Sequence, residues 1–199
     1  MTAQFPTTPS ITFFDSLAEL LGAGDGYFHY TFDDVVKLSG HACPTVSGAF
    51  LMAIHAMQVL YGDEIPRRGE IHITIPGPVD QGVNGPISQV FTLLTGAAAT
   101  NGFHGLGGQY ARHRLMDFAS NPTGTFTFQR IDNHESVNVA YDPSSIPPDP
   151  DMNPLLQQIL QGDGKDSVRQ QFREMWRNRV IAILHDAGNQ TVTVTRQWN

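Results

Sequence analysis

The sequence predicts an α+β protein in which a mixed or antiparallel sheet packs on a long central apolar helix. Three observations predict this class: the long apolar stretch 44–61, the alternating isoleucines of 69–75, and two strand patterns at 123–131 and 136–142. Helical and strand patterns follow one another without the regular alternation of a parallel α/β sheet. An α+β arrangement is therefore the expected class.

The central helix is predicted over 44–61, a stretch rich in Ala, Met and Leu. Pro44 suits the first helical position, where its missing N–H costs no hydrogen bond. Gly62 then suits the C-terminal cap. Apolar residues occur nearly all round the helix, which predicts that it is buried.

The remaining elements follow from periodicity and from glycine and proline. In 69–75, Ile71, Ile73 and Ile75 alternate with polar residues, which predicts a strand with one buried face. The strands 123–131 and 136–142 are expected to pair. Glycine and proline predict loops over 76–86 and 101–108. Helices are predicted over 12–21, the second half of 27–40 up to Gly40, 87–99, 109–119 and 166–188, and a last strand over 190–198.

A proline-rich connector, 143–154, divides the chain into two predicted parts. Residues 1–145 form the α+β core domain, and residues 146–199 form a C-terminal helix and strand extension.

Composition limits the kinds of partner that the protein is expected to bind and the cellular compartment in which it is expected. The 199 residues carry 12 basic and 19 acidic side chains, a formal net charge of −7. An acidic protein gains nothing from counterion release, which argues against a nucleic-acid partner. The sequence has no apolar run long enough for a transmembrane helix, and its start does not resemble a signal peptide. A single cysteine allows no internal disulfide, so we expect a cytoplasmic protein.

That cysteine, Cys43, lies in the stretch "GHACPT", immediately before the predicted central helix. Free N–H groups and the helix dipole favour a thiolate at such a position. A thiolate is both a nucleophile and a metal ligand, so Cys43 is a candidate catalytic residue and a candidate ligand. His41 is close enough in sequence to share one ion, and this pair suits zinc, nickel, copper or iron. The alternative is that Cys43 is a small buried hydrophobic residue.

Two further histidines are candidate metal ligands. His104 comes first because flanking glycines let the backbone approach a ligand closely, although the same loop is equally typical of a plain tight turn. His72 comes second because it lies on the strand face opposite the isoleucines, which is either solvent or a cleft. His55 is expected to be packed inside the central helix, and His113 and His185 to be solvated helix residues.

The stretch 33–57 resembles the start of the formylmethanofuran dehydrogenase E-subunit family, whose motif is Gly-His-x-Cys-Pro-Gly. A second, softer match lies in "FTLLTGAAATNGFHGLGG" at 91–108, and the resemblance covers about residues 25–140. The matching residues are Gly40, His41, Cys43 and Pro44 in the first motif, with Thr45 in place of glycine, and Leu94, Thr95 and Gly96 in the second.

The resemblance implies an α+β core, a cleft that holds a metal ion, and a homodimer, but it implies no settled reaction. Ala97 stands where the family often has a second cysteine. No cysteine follows Cys43, so the family's C-terminal zinc finger is absent. The family's metal chemistry is therefore carried over only to His41 and Cys43.

Three functions remain open from the sequence. The first is a metal-binding protein, enzyme or accessory factor, with a divalent transition metal: zinc first, nickel or iron as alternatives. An open coordination position would let it bind a small-molecule ligand. The second is a metal-free thiol protein with Cys43 as nucleophile or sulfur carrier. The third is a non-catalytic dimeric interaction module. A homodimer is expected because the central helix and the Trp176 helix need partner surfaces.

Overall fold

The computed structural model describes residues 5, 9–119 and 124–197. It confirms the α+β class. The elements in chain order are β1 (Ile11–Phe14), α1 (Ser16–Leu20), β2 (Tyr27–Tyr30), α2 (Phe32–Ser39), α3 (Pro44–Tyr61), β3 (Ile71–Pro76), α4 (Asn84–Thr95), β4 (Met116–Ala119), β5 (Phe126–Arg130), β6 (Ser136–Tyr141), a 3₁₀ turn (Pro143–Ser145), α5 (Met152–Leu160), α6 (Asp166–Asp186) and β7 (Val192–Gln197).

The strands form two sheets. The larger has five strands in the order β4-β3-β5-β6-β7, and the smaller pairs β1 with β2. β3 and β4 run parallel, whereas every other neighbouring pair is antiparallel. The main sheet is therefore mixed. The predicted pairing of the strands at 123–131 and 136–142 is confirmed by β5 and β6.

The core lies between this sheet and α3. Ile71, Ile73 and Ile75 are fully buried on one face of β3, as their alternation predicts. α3 packs against β5, β6 and β7, α4 packs beside α3, and α6 packs on α3. The predicted limits of α3 are confirmed: Pro44 occupies the first turn and Gly62 the C-terminal cap. Among the helices of the described ranges, none is long and apolar enough to cross a membrane.

The prediction of a helix over 12–21 is wrong for its first half. Phe13 is fully buried and lies opposite Phe28 in the β1–β2 pair, so tertiary packing fixes an extended backbone there. The helix begins only at Ser16, after Asp15 has accepted hydrogen bonds from the N–H groups of Leu17 and Ala18.

The predicted helix over 109–119 is also wrong. Tyr110 and Arg114 have φ angles of 58° and 57°, in the left-handed region, which interrupts a right-handed helix. The N–H groups of Arg112 and His113 donate to the carbonyl of Phe103 instead of to a preceding helical turn. The segment then enters β4, which pairs with β3.

The C-terminal elements join the main sheet and its helical layer. β7 pairs with β6 over six positions, including Val139 opposite Val194. The last strand belongs to the same sheet as β6. The predicted domain boundary after residue 145 stays a prediction. Thr123 and Trp198, at the ends of two predicted strands, lie outside the described residues.

Candidate functional site

The segment from Gly40 to Pro44 turns the chain from α2 into α3. Gly40 ends α2 in the left-handed conformation, with its N–H donating to the carbonyl of Val36. Cys43 is the N-cap residue of α3 in an extended conformation, and its side chain makes no capping hydrogen bond. The thiol is half-buried against the core and stands at the positive end of the α3 dipole.

Two aromatic side chains hold this segment in place. The indole Nε1–H of Trp176 on α6 donates to the carbonyl of Ala42 at 2.7 Å. The hydroxyl of Tyr141 donates to the carbonyl of Pro44 at 3.0 Å. The Tyr141 ring also fills the space where a side chain on Gly48 would lie. Burial raises the pKa of Tyr141 above its ordinary value of 10.0, which keeps this hydroxyl a donor.

His41 is exposed beside this segment. Its Nδ1 lies 2.9 Å from the carbonyl of Ser39. Because a carbonyl only accepts, Nδ1 carries a proton in this bond, and in the neutral imidazole the lone pair is then on Nε2. His41 and Cys43 thus present one imidazole nitrogen and one thiol at the same turn of the chain.

The other two predicted ligands lie in separate surroundings. The ring of His104 stacks on the ring of His113, with centroids 4.4 Å apart. His113 lies outside any helix, contrary to the sequence prediction. His72 is half-exposed, and its Nε2 lies 3.1 Å from Oδ2 of Asp117, so its strand face is a solvent face.

The described residues bring no three His, Cys, Asp or Glu side chains together in a group that could hold a metal ion. The joint binding of a metal ion by His41, Cys43, His72 and His104 therefore stays a prediction. The pair His41 and Cys43 remains adjacent, and its role in metal binding stays a prediction.

A second constellation, which the sequence analysis missed, centres on the buried carboxylate of Asp15. Its Oδ1 accepts from Nη2 of Arg112 at 2.6 Å and its Oδ2 from Nη1 of Arg68 at 2.8 Å. Oδ1 also accepts from the first N–H groups of α1, at Leu17 and Ala18. We call Asp15, Arg68 and Arg112 the Arg–Asp–Arg cluster.

Arg68 is fully engaged within this cluster. Its Nε and Nη2 donate to the carbonyls of Leu94 and Leu93, near the C-terminal end of α4. Its guanidinium also lies 5.6 Å from the centroid of the Phe28 ring. Arg68 therefore connects the end of α4 to the start of α1 through Asp15.

Arg112 is engaged less completely. It is 9% exposed, and its Nη1 is buried with no hydrogen-bond partner among the described residues. Burial lowers the pKa of Arg112 below its ordinary value of 12.5, and the charge of Arg68 acts in the same direction, while Asp15 opposes both. The guanidinium lies close to Gly69 and Gly96, where any β-carbon would collide with it.

The Arg–Asp–Arg cluster forms one wall of a cavity of about 480 Å³, which we call the charged cavity. Its other walls are mainly apolar and include Leu17, Phe28 and Phe103. The volume falls within the range of about 300–1,000 Å³ usual for small-molecule sites. Two guanidinium groups share one carboxylate here, so the charged side chains of the lining sum to +1.

A second cavity of about 640 Å³ adjoins the first, and both are lined by Thr92, Ala98 and Asn101. The described side chains that line it are all uncharged, so we call it the neutral cavity. Both cavities are lined by residues of 91–108, the stretch that carries the second match to the formylmethanofuran dehydrogenase E-subunit family. Gly69 and Gly96 admit the Arg112 guanidinium, but their place beside it is evident only from the fold.

Comparison of the sequence with protein-family models and with curated proteins found no match. The resemblance to the formylmethanofuran dehydrogenase E-subunit family therefore remains an expectation from the quoted motifs.

Proposed function

We propose that this protein binds a small organic anion in the charged cavity. The observation that carries the proposal is the unbalanced charge of the cavity wall. One carboxylate, Asp15, serves two guanidinium groups, Arg68 and Arg112, and all three side chains line the cavity. A largely buried guanidinium without full compensation is costly, and an anionic ligand would supply the missing charge.

The chemistry of the cavity indicates the kind of anion. Guanidinium groups recognise carboxylate and phosphate through paired N–H donors, and such bonds are stronger than neutral ones. The walls formed by Leu17, Phe28 and Phe103 are suited to an apolar body rather than to a bare inorganic ion. The preferred ligand is therefore a carboxylic acid or phosphate ester with an apolar substituent.

The surroundings of Arg112 include one more acidic residue. The negative charge of Glu70 also favours the charged form of Arg112, more weakly than Asp15 does. Glu70 does not line the charged cavity. It therefore reduces the positive potential of the cluster without lining the cavity.

Calorimetric titration of the full chain tests the proposal with matched pairs of ligands. Benzoate and hexanoate are compared with benzamide and hexanamide, which keep the shape and remove the charge. We expect the acids to bind and the amides not to bind, with an affinity for the acids that falls as salt rises. Equal binding of acid and amide, or no binding of either, would overturn the proposal.

A variant locates the binding. Arg112→Lys keeps the positive charge but loses the fork of N–H donors, so the affinity for benzoate should fall about tenfold or more. Thermal unfolding of the variant shows whether it folds. Should it fail to fold, Phe103→Ala changes an exposed cavity wall and should weaken benzoate binding without unfolding the chain. Unchanged affinity in the folded variants would place the anion elsewhere.

A second candidate function concerns His41 and Cys43. Two observations favour it. Cys43 is the N-cap residue of α3, but its thiol makes no capping hydrogen bond. The neighbouring His41 bonds to the carbonyl of Ser39 through Nδ1, which leaves Nε2 available as a ligand atom. The residues present in one chain fit a metal ion only in part, since they supply two ligands where three or four are usual. The remaining ligands would be water or residues of a second copy in the expected homodimer.

Metal analysis of protein purified without a histidine tag separates this candidate from its alternatives. Bound zinc, or nickel or iron, that is lost in Cys43→Ser and His41→Ala supports a metal site. Metal-free protein whose Cys43 reacts rapidly with iodoacetamide supports a thiol protein. Metal-free protein with an inert thiol supports the dimeric interaction module. The measurement that tests this module is the mass of the protein in solution at micromolar concentration. The cytoplasmic location stays a prediction.

A further inference from the structure

The charged and neutral cavities adjoin each other at the end of α4 and the segment that follows it. Thr92, Ala98 and Asn101 line both, so the two spaces meet at one shared wall. Thr92 lies on α4, and its hydroxyl donates to the carbonyl of Ala97 at 2.7 Å. This bond fastens the segment that follows α4 to the helix, which fixes the wall common to both cavities.

The two cavities differ in chemical character. The side chains of the Arg–Asp–Arg cluster lie in the charged cavity alone. The neutral cavity is formed largely by Leu38, Val79, Leu93, Met116 and Phe118, and its polar lining consists of uncharged hydroxyl and amide groups. The two adjoining cavities therefore differ in polarity, with positive charge on one side and a mainly apolar lining on the other.

Apolar surface is left open to solvent at both ends. Leu38 and Val79 of the neutral cavity are 42% and 52% exposed, and Phe103 of the charged cavity is 44% exposed. Single exposed apolar residues need no explanation, but residues gathered around one concave surface mark a binding site. An apolar ligand body in the neutral cavity would cover this surface.

We propose that the ligand is an elongated amphipathic acid whose acidic group lies at Arg112 and whose hydrocarbon portion extends past Thr92 into the neutral cavity. This inference rests on the proposed anion binding and adds the ligand class. Among the described lining residues, the charged side chains belong to the charged cavity, which fixes the direction of the ligand. A hydrocarbon chain suits the mainly apolar lining of the neutral cavity.

Calorimetric titration with butyrate, hexanoate, octanoate and decanoate tests the length of the ligand. Burying a methylene strengthens binding by up to about fourfold. We expect the affinity to rise along the series until the neutral cavity is filled and to level off afterwards. A flat series in which the short acids still bind would overturn this inference and leave the proposed anion binding intact. A series in which no acid binds would overturn both.

Two matched variants locate the hydrocarbon portion. Gln89 is an exposed residue of α4 that lines the neutral cavity only, so Gln89→Trp fills this cavity without replacing a core residue. Gln158 is an exposed residue of α5 outside both cavities, so Gln158→Trp is the control. Gln89→Trp should lower the affinity for decanoate tenfold or more and leave that for butyrate unchanged, whereas the control should change neither.

Two outcomes of the variant experiment would contradict the inference. Equal effects of Gln89→Trp on butyrate and decanoate would mean that the hydrocarbon lies elsewhere. A changed mass of the Gln89→Trp protein in solution, with unchanged decanoate affinity, would mean that a second copy of the chain covers the neutral cavity.

Discussion

The guanidinium of Arg112 donates to the carboxylate of Asp15 at 2.6 Å, which joins residues 97 positions apart in the sequence. Asp15 is also the N-cap of α1 and the acceptor of Arg68, whose other donors bind the end of α4. One buried carboxylate therefore organises both the local fold and the positive wall of the charged cavity.

Replacing Asp15 by asparagine should destabilise the protein severely. The amide still caps α1, but it leaves two largely buried guanidinium groups without a counter-charge, a change worth about 3–5 kcal/mol. The free energy of unfolding in urea is the measurement. Asp132→Asn is the matched control, because Asp132 also accepts from an arginine at 2.6 Å but is half-exposed. Asp132→Asn should lower the free energy of unfolding by at most about 1 kcal/mol. Equal losses in Asp15→Asn and Asp132→Asn would contradict this expectation.

Gly96→Ala should disturb Arg112 directly. Gly96 caps α4 with φ 75° and ψ −5°, and a β-carbon there would lie 2.6 Å from Nη1 of Arg112. Gly40 caps α2 with nearly the same angles and has open space around it. Gly40→Ala should therefore lower the free energy of unfolding by about 1 kcal/mol, because only the left-handed backbone conformation is strained.

Gly96→Ala should cost about 1–3 kcal/mol more than Gly40→Ala, since an overpacked side chain adds to the backbone strain. It should also weaken benzoate binding, which Gly40→Ala should leave unchanged. Equal unfolding free energies for the two variants would show that the guanidinium moves aside without cost.

Asp34 should make stability depend on acid pH. Burial acts to raise its pKa, but hydrogen bonds from Thr31 and Lys37 outweigh burial and hold the pKa below its ordinary value of 3.8. The folded state thus binds this proton less tightly than the unfolded state. The contribution is present above the ordinary pKa and is lost as pH falls through the lowered one.

The variant Asp34→Asn should accordingly be less stable than the natural chain at neutral pH, by about 0.5–2 kcal/mol for a weakened capping box. Urea unfolding at a series of pH values should show this difference shrinking below about pH 4. A difference that stays constant into strong acid would mean that the Asp34 charge does not contribute.

Trp176→Phe should expose Cys43. The change removes the 2.7 Å hydrogen bond to the carbonyl of Ala42, worth about 1 kcal/mol, and so releases the segment before α3 about fivefold more often. Because Cys43 is the only cysteine, the rate of alkylation by iodoacetamide at fixed pH reports this segment alone. Arg173→Ala, an exposed change on the same helix, should leave the rate unchanged. No acceleration in Trp176→Phe would show that other contacts hold the segment.

Local signals in the sequence are sufficient to predict an element where the tertiary packing agrees with them. Pro44 and Gly62 marked both ends of α3, and the isoleucines of β3 alternate as a half-buried strand requires. His55 was expected to be packed, and its Nε2 donates to the carbonyl of Ala187 at 2.6 Å. In each case the residue type or its spacing agrees with the packing that surrounds it.

The wrong predictions come from contacts that are distant in sequence. Residues 109–119 have helical composition, yet the carbonyl of Phe103 and the edge of β3 provide better partners for their backbone. Arg68 and Arg112 are not distinctive singly, since most arginines are solvated. Their pairing with Asp15 depends on how α1, α4 and the segment before β4 meet, which periodicity does not encode.

The place of β7 has a consequence for biosynthesis. Its partner edge on β6 is complete once Tyr141 has been translated, but the strand that covers it begins only at Val192. During elongation the nascent sheet therefore exposes unpaired N–H and C=O groups along β6, while α3 still lacks its cover from α6. Such an open edge invites pairing with other chains. A chain whose synthesis ends between these two strands would therefore be prone to aggregation.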